Sequence, residues 1–176
     1  MLSARPADID TARLRLVVLL PDEIRALIAG DTERASQLAA VGFPPGWPEG
    51  DDAREGLPWH LRHLEAHEQH RAWRIRVVVE RATGTVVGSI NLKGPPDDTG
   101  DVEIGWGISE SYRRRGYALE AAVGVADWVV RQPGATSLSA TIDDENVASQ
   151  EVAAKLGLIR TSDRRRGKPL WRRMFT

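Results

Sequence analysis

Ten residues constrain this chain more than any other part of it. Ser-Glu-Ser-Tyr-Arg-Arg-Arg-Gly-Tyr-Ala, Ser109 to Ala118, separates a strand pattern at Val102–Ile108 from a stretch, Gly116 to Arg131, that is apolar almost all round. A helix of that kind is buried on most sides, so a sheet and further helices must surround it. The 176 residues supply enough chain for such a core in a single domain, 1–176. A strand that opens through a glycine-containing loop into a helix start is an anion site. Unpaired backbone N–H groups point outward there, and the macrodipole adds roughly half a positive charge. Gly116 lets the backbone approach a ligand closely, Ala118 is small, and Arg113, Arg114 and Arg115 add positive charge. A diphosphate is the natural ligand of this cradle.

The remaining pattern gives the elements around it. Leu14 to Leu20 reads as a strand, Pro21-Asp22-Glu23 starts a helix, and Asp31 caps a second one through about Val41. Gly42 to Gly50, with three Pro and three Gly, is irregular. A helix beginning at about Asp51 or Leu57 runs to Gln69. Trp73 to Glu80 and Val86 to Lys93 form a hairpin about Thr83-Gly84. Leu138 to Ile142 alternates as a strand, Asn146 to Leu156 is a helix ended by Gly157, and Leu158 to Phe175 is a hairpin turning near Gly167-Lys168-Pro169. The prediction is an α/β domain with a mixed, mostly antiparallel central sheet flanked by helices.

Two common diphosphate motifs are absent. Gly105-Trp106-Gly107 lacks the third glycine of a dinucleotide fingerprint, and no Gly-x4-Gly-Lys-Ser/Thr loop occurs. What fits is Arg/Gln-x-x-Gly-x-Gly/Ala, filled by Arg113, Gly116 and Ala118. With Val102-Glu103-Ile104-Gly105-Trp106 before it, Tyr117-Ala118-Leu119-Glu120-Ala121 after it, and Asp144-Glu145-Asn146-Val147-Ala148-Ser149 leading to Lys155-Leu156-Gly157-Leu158, the chain resembles the GNAT N-acetyltransferases. Leu158 stands where the family usually has Phe. Ser149, three residues after Asn146, points to the ribosomal-protein N-acetyltransferase-like (RimJ/RimL-like) branch. The resemblance covers roughly Val77 to Phe175.

It implies a sheet splayed between the family's fourth and fifth strands, with acetyl-CoA between them. Its pantetheine would pair with backbone near Ile108, and its phosphates would meet Arg113, Arg114, Arg115, Gly116, Tyr117 and Ala118. Residues from about 73 to 176 would form this acetyl-CoA-binding core, and about 1–70 the acceptor side. The reaction implied is direct transfer of the acetyl group to a primary amine, of a small molecule or a protein N-terminus. The chain has no cysteine, which excludes an acetyl-cysteine route.

Direct transfer requires an amine to lose a proton and an oxyanion to be stabilised. Glu103 is the candidate base, alone or through water, with pocket burial expected to raise its pKa. The alternative is a solvent-facing or salt-bridged strand carboxylate. The tyrosine acid of many relatives is replaced here by Ala153, which leaves Ser149 as the candidate catalytic group near the sulfur, as a hydrogen-bond donor to the thiolate. Its alternative is a solvent-facing helix residue. Asn146 is expected to cap its helix and, by the resemblance, to contact CoA.

Charge is unevenly spread. Arg160 to Thr176 holds seven basic residues and one acid, whereas residues 31–70 hold eight acids and three bases. Trp47 and Trp59 flank Glu49, Asp51, Asp52 and Glu55, suggesting that a cationic amine is held by carboxylates and indole faces; the alternative is ordinary packing. All four histidines, 60, 63, 67 and 70, fall along one side of a helix, most simply a surface stripe. No metal is expected, since His63-Leu64-Glu65-Ala66-His67 puts Glu at the wrong position for a zinc motif.

The net charge of −1 speaks against a nucleic-acid binder, although the Arg160–Arg173 face keeps that class in view. No apolar run spans a bilayer, and Met1 to Asp10 has no apolar leader core; a cytoplasmic protein, monomer or homodimer, is expected. A non-catalytic acyl-CoA-binding sensor of the same fold is the competing class, and Glu103, Asn146 and Ser149 together favour the enzyme.

Overall fold

The computed structural model describes residues 5–176, and for 51–53 the backbone alone. Residues 1–4, part of the segment read for a leader, lie outside the described residues. So do the side chains of Asp51 and Asp52 from the acidic stretch.

The strand segments form one eight-stranded sheet in the order β1-β2-β3-β4-β5-β6-β8-β7. The strands are β1 (Ile9–Asp10), β2 (Leu14–Val18), β3 (Ile75–Glu80), β4 (Thr85–Leu92), β5 (Asp101–Ile108), β6 (Ser137–Thr141), β7 (Ile159–Arg165) and β8 (Lys168–Met174). The helices are α1 (Pro21–Ile28), α2 (Thr32–Ala39), α3 (Asp51–Ala66), α4 (Tyr117–Val130) and α5 (Val147–Lys155). The two-residue β1 has too little pattern to be read from sequence. It shifts the strand count by one, so the expected fourth and fifth strands are β5 and β6.

Both faces of the sheet are covered. Val17, Leu19, Val77 and Val79 pack with α1, α2 and α3 on one face. Leu14, Leu16, Val78, Ile104 and Leu138 pack with α4 and α5 on the other. Burial on two faces explains why Val77-Val78-Val79 is a run rather than an alternation. The N-terminal signals act as read. Glu23 accepts a hydrogen bond from the Leu20 amide at 2.8 Å, and Asp31 accepts one from the Arg34 amide at 2.9 Å.

The histidine stripe needs correction. α3 ends at Ala66, and Glu68–Trp73 is a 3-10 helix, so the four histidines do not share one helix face. His60 is buried, with 2% of its surface exposed. Burial first, and then the charges of Lys93, Arg74 and His63, push its pKa down to about 3, so it is a neutral core residue.

Every neighbouring pair in the sheet is antiparallel except β5 and β6. These two run parallel and pair only at Asp101–Ser137, Val102–Leu138 and Glu103–Ser139. Beyond Glu103, β5 continues to Ile108 against β4 alone. A buried ionic clamp sits at the paired end. Ser137 and Ser139 hydroxyls each donate to the Asp101 carboxylate at 2.6 Å, Arg165 donates to it at 3.0 Å, and the Arg172 guanidinium lies 3.6 Å away. The Asp101 side chain is 2% exposed. Removing one partner of a buried pair leaves uncompensated charge, at a cost of about 3 kcal/mol. Asp101→Ala is therefore expected to lower the urea midpoint by that equivalent, measured by equilibrium unfolding.

Candidate active site

Where β5 leaves β6, a cleft of about 1220 Å³ opens. That is at or above the upper end of ordinary small-molecule pockets, about 300–1,000 Å³. One wall is β5 from Glu103 to Ile108, and the other is formed by Thr141 with Asn146, Ser149 and Val152 of the α5 region. The β5 edge that β6 abandons presents N–H and C=O groups without a strand to pair with. An extended ligand with amide groups would complete that ladder.

The far end of β5 leads into the loop predicted to bind phosphate. Gly116 is the residue before α4 and adopts φ +80°, in the left-handed region that favours glycine. The first helical bond here runs from the Glu120 amide to the Gly116 carbonyl at 3.1 Å. The amides of Gly116 to Leu119 therefore precede the intrahelical ladder. Gly116, Tyr117, Ala118 and Leu119 all line the cleft, as do Arg113 and Arg114.

Arg115 is not brought to the cleft. Its guanidinium donates to the Ser111 carbonyl at 3.2 Å and stacks 5.0 Å from the Tyr112 ring centre, while its own carbonyl accepts from Arg13 at 2.9 Å. The Tyr117 hydroxyl is also turned away, donating to Glu80. Tyr117 thus offers the cleft its backbone.

Ser149 and Asn146 reach the same cleft as Glu103. Asn146 caps α5, accepting from the Ser149 amide at 3.1 Å. Ser149 is half-buried, and its hydroxyl makes no hydrogen bond among the described residues.

Glu103 differs from expectation in one respect. Burial would raise its pKa, but hydrogen bonds from Arg165 and Arg166 outweigh burial and hold the carboxyl below the usual range. Arg165 donates at 2.9 Å, Thr141 at 3.1 Å, and Arg166 also donates. It is the salt-bridged strand carboxylate of the alternative reading, although it still lines the cleft. These arginines belong to the β7–β8 hairpin, which accounts for the basic C-terminal segment. Arg160 and Arg164 are likewise paired, both to Asp144.

The acceptor-side residues divide. Trp47 is buried at 5% exposure, packs on Phe43 with ring centres 5.0 Å apart, and lines the cleft. Trp59 does not line it. Its ring carries the chain's own cations, with Lys93 Nζ at 5.2 Å and the Arg74 guanidinium at 5.3 Å from its centre. Glu49 lines the cleft and accepts from the Glu110 amide at 3.0 Å, while exposed Glu55 does not line it. The expected carboxylate-lined acceptor pocket is therefore not what the described side chains form. Residues that sequence reading missed are Asn91, Lys93, Thr141, Arg166 and Lys168. They come from β4, β6 and the hairpin, and no local motif links them.

Among the described residues, no three His, Asp or Glu side chains are grouped to hold a metal. No described helix is long and apolar enough to cross a membrane.

A sheet parted at its one parallel pair, with a helix N-terminus at the end of the parting, is the arrangement that the sequence's resemblance to the GNAT N-acetyltransferases implied. Residues 13–159 match the family described as the acetyltransferase (GNAT) domain, and the chain belongs to that family. It is an N-acetyltransferase by this membership. It is 28% identical over 153 residues to the uncharacterised N-acetyltransferase YjdG of Bacillus subtilis, covering 86% of this chain and 89% of that one. The ribosomal-protein-S5-alanine acetyltransferase of Vibrio fischeri has the same fold, with TM-score 0.65, 14% identity, and coverage of 96% of this chain and 97% of that one. So does RimL, a ribosomal L7/L12 alpha-N-protein acetyltransferase solved with coenzyme A, with TM-score 0.61, 15% identity, and coverage of 96% and 98%.

Two measurements check the site. Gly116→Trp strains a left-handed position in the cradle and is expected to weaken acetyl-CoA binding more than about tenfold by calorimetry, against about threefold for Arg113→Ala; Arg115→Ala should match wild type. Because the Glu103 carboxyl is lowered on folding, its stabilisation is present above the unfolded pKa and is lost as pH falls through the folded one. The stability gap between wild type and Glu103→Gln should therefore be widest near neutrality and shrink in acid, as followed by urea unfolding against pH.

Proposed function

We propose that the protein transfers an acetyl group directly from acetyl-CoA to a primary amine in a ternary complex. The observation that carries this is the single cleft shared by the β5 edge and the α4 N-terminus. In this reading the amides of Gly116 to Leu119, with Arg113 and Arg114, hold the diphosphate. Backbone near Ile108 pairs with the pantetheine, and Asn146 fixes the α5 terminus beside it. RimL, which shares this fold, is solved with coenzyme A, and an acetyltransferase of the same fold that confers self immunity to microcin C7 is solved with acetyl-CoA; both support the choice of ligand.

With the acetyl carbonyl at the parting, the neutral acceptor nitrogen attacks it, the oxyanion meets backbone N–H groups of β5, the adduct nitrogen gives its remaining extra proton to water, and the C–S bond breaks as the thiolate leaves toward Ser149. A fixed donor at a developing oxyanion contributes several kcal/mol, more than the Ser149 hydroxyl can give the leaving sulfur. Glu103 enters as a fixed negative charge that holds Arg166 at the cleft and steadies the ammonium before attack. Its depressed pKa makes it a weak proton acceptor. Proton loss then follows the amine's own ionisation, and the log of kcat/KM should rise with pH toward the acceptor pKa.

Thiol release measured with dithiobis-nitrobenzoate across an amine panel tests transfer itself. Glu103→Gln is expected to lower kcat less than about tenfold without removing the acid limb, whereas loss of a general base costs roughly 100-fold or more. Ser149→Ala should lower kcat about two- to fivefold and leave the KM for acetyl-CoA near wild type. Normal acetyl-CoA binding with no turnover of any amine would support the sensor reading instead.

A further inference from the structure

The Glu103 end of the cleft, opposite the loop before α4, holds positive charge. Lys93 follows β4, and its amide donates to the Glu103 carbonyl at 2.9 Å. Five residue steps along β5 separate Glu103 from Ile108, where the phosphate loop begins, which is roughly 17 Å of strand. Lys93, Arg166 and Lys168 line the cleft at the Glu103 end. Among the described residues the acids lining the whole cleft are Glu49, Glu103 and Glu151. Glu49 is engaged by the Glu110 amide, and Glu103 is shared by two arginines.

Lys168 is paired with Asp143 at 2.8 Å, but Lys93 has no carboxylate within ion-pair distance among the described residues. Lys93 as a whole is exposed, while its ammonium rests on the Trp59 ring. Desolvation lowers its pKa, with Arg166, Arg74 and Lys168 adding to the lowering and Glu103 opposing it. The group sits in a local excess of positive charge. A second, neutral feature faces the same space. Asn91 Oδ1 is buried without a hydrogen-bond partner, on the β4 residue opposite Gly105. A buried acceptor without a donor favours any ligand that brings it an N–H.

We infer that the amine acceptor carries an anionic group, a carboxylate or a phosphate, that docks against Lys93, Arg166 and Lys168 while an N–H of the acceptor reaches Asn91. This rests on the transfer reading above and names its substrate class. A cationic acceptor would set like charges together at a desolvated contact. An anionic one takes up charge the protein has already gathered.

The test compares isosteric amines: β-alanine with β-alaninamide, O-phosphoethanolamine with ethanolamine, 1,3-diaminopropane as the cationic member, and Ser-Asp-Glu, Ser-Asn-Gln and Ser-Lys-Lys peptide amides. kcat/KM is measured by thiol release, and affinity by calorimetry on protein saturated with CoA. Anionic members should exceed their neutral partners by about tenfold in both readouts, with the advantage falling as salt rises. Lys93→Gln and Arg166→Gln should each cut the advantage to about twofold, with acetyl-CoA affinity reporting that the variants are folded. The carboxylate, phosphate and peptide arms show which source of anion fits. Equal or better binding of the neutral or cationic members overturns the inference. If no amine is acetylated although acetyl-CoA binds, the transfer reading fails, and the affinity arm still decides the charge preference.

Discussion

The structure depends on where β5 stops pairing with β6. Three residue pairs hold the two strands together, and beyond Glu103 they part. Elsewhere the sheet follows from ordinary patterning: antiparallel neighbours, two apolar faces and short connections. At the parting the backbone must find another partner, because unpaired strand edges in a half-enclosed cleft are costly. A ligand with peptide-like groups would complete the β5 ladder. The clamp of Asp101 with Ser137, Ser139 and Arg165 keeps the paired end closed, so that the open end stays open.

The same clamp explains the charge distribution. In sequence the net charge speaks against a nucleic-acid binder, and only the basic C-terminal hairpin keeps that class in view. In three dimensions Arg165 and Arg166 pair with the buried carboxylates of Asp101 and Glu103, while Arg160 and Arg164 pair with Asp144 at the surface. The hairpin is thereby stapled to the central strands. It delivers Arg166 and Lys168 to the cleft. Glu103 is bound into this staple, and the hydrogen bonds from Arg165 and Arg166 hold its carboxyl below the usual range despite burial.

The strand–loop–helix arrangement around Gly116 was legible because all its parts are consecutive: strand, arginines, glycine and buried helix follow one another within thirty residues. The Asn146 cap was legible for the same reason. The state of Glu103 was not, since its arginines lie 62 and 63 residues away in the chain. Burial alone argued for a raised pKa, and only the fold shows the opposing charges. The histidine stripe failed because periodicity cannot see where a helix ends; α3 stops at Ala66 and His60 faces the core. Trp59 was read as a platform for a foreign cation, and the platform is taken by Lys93 and Arg74, brought from β4 and β3 flanks.

Amide hydrogen exchange with and without acetyl-CoA tests the role of the parted strands most directly. Binding should slow exchange at Ile104 to Ile108 and at Arg114 to Leu119, and leave β1 to β3 unchanged. Saturating acetyl-CoA that leaves both segments exchanging as before, or that protects another part of the sheet, would contradict the assignment of this cleft as the acetyl-CoA site.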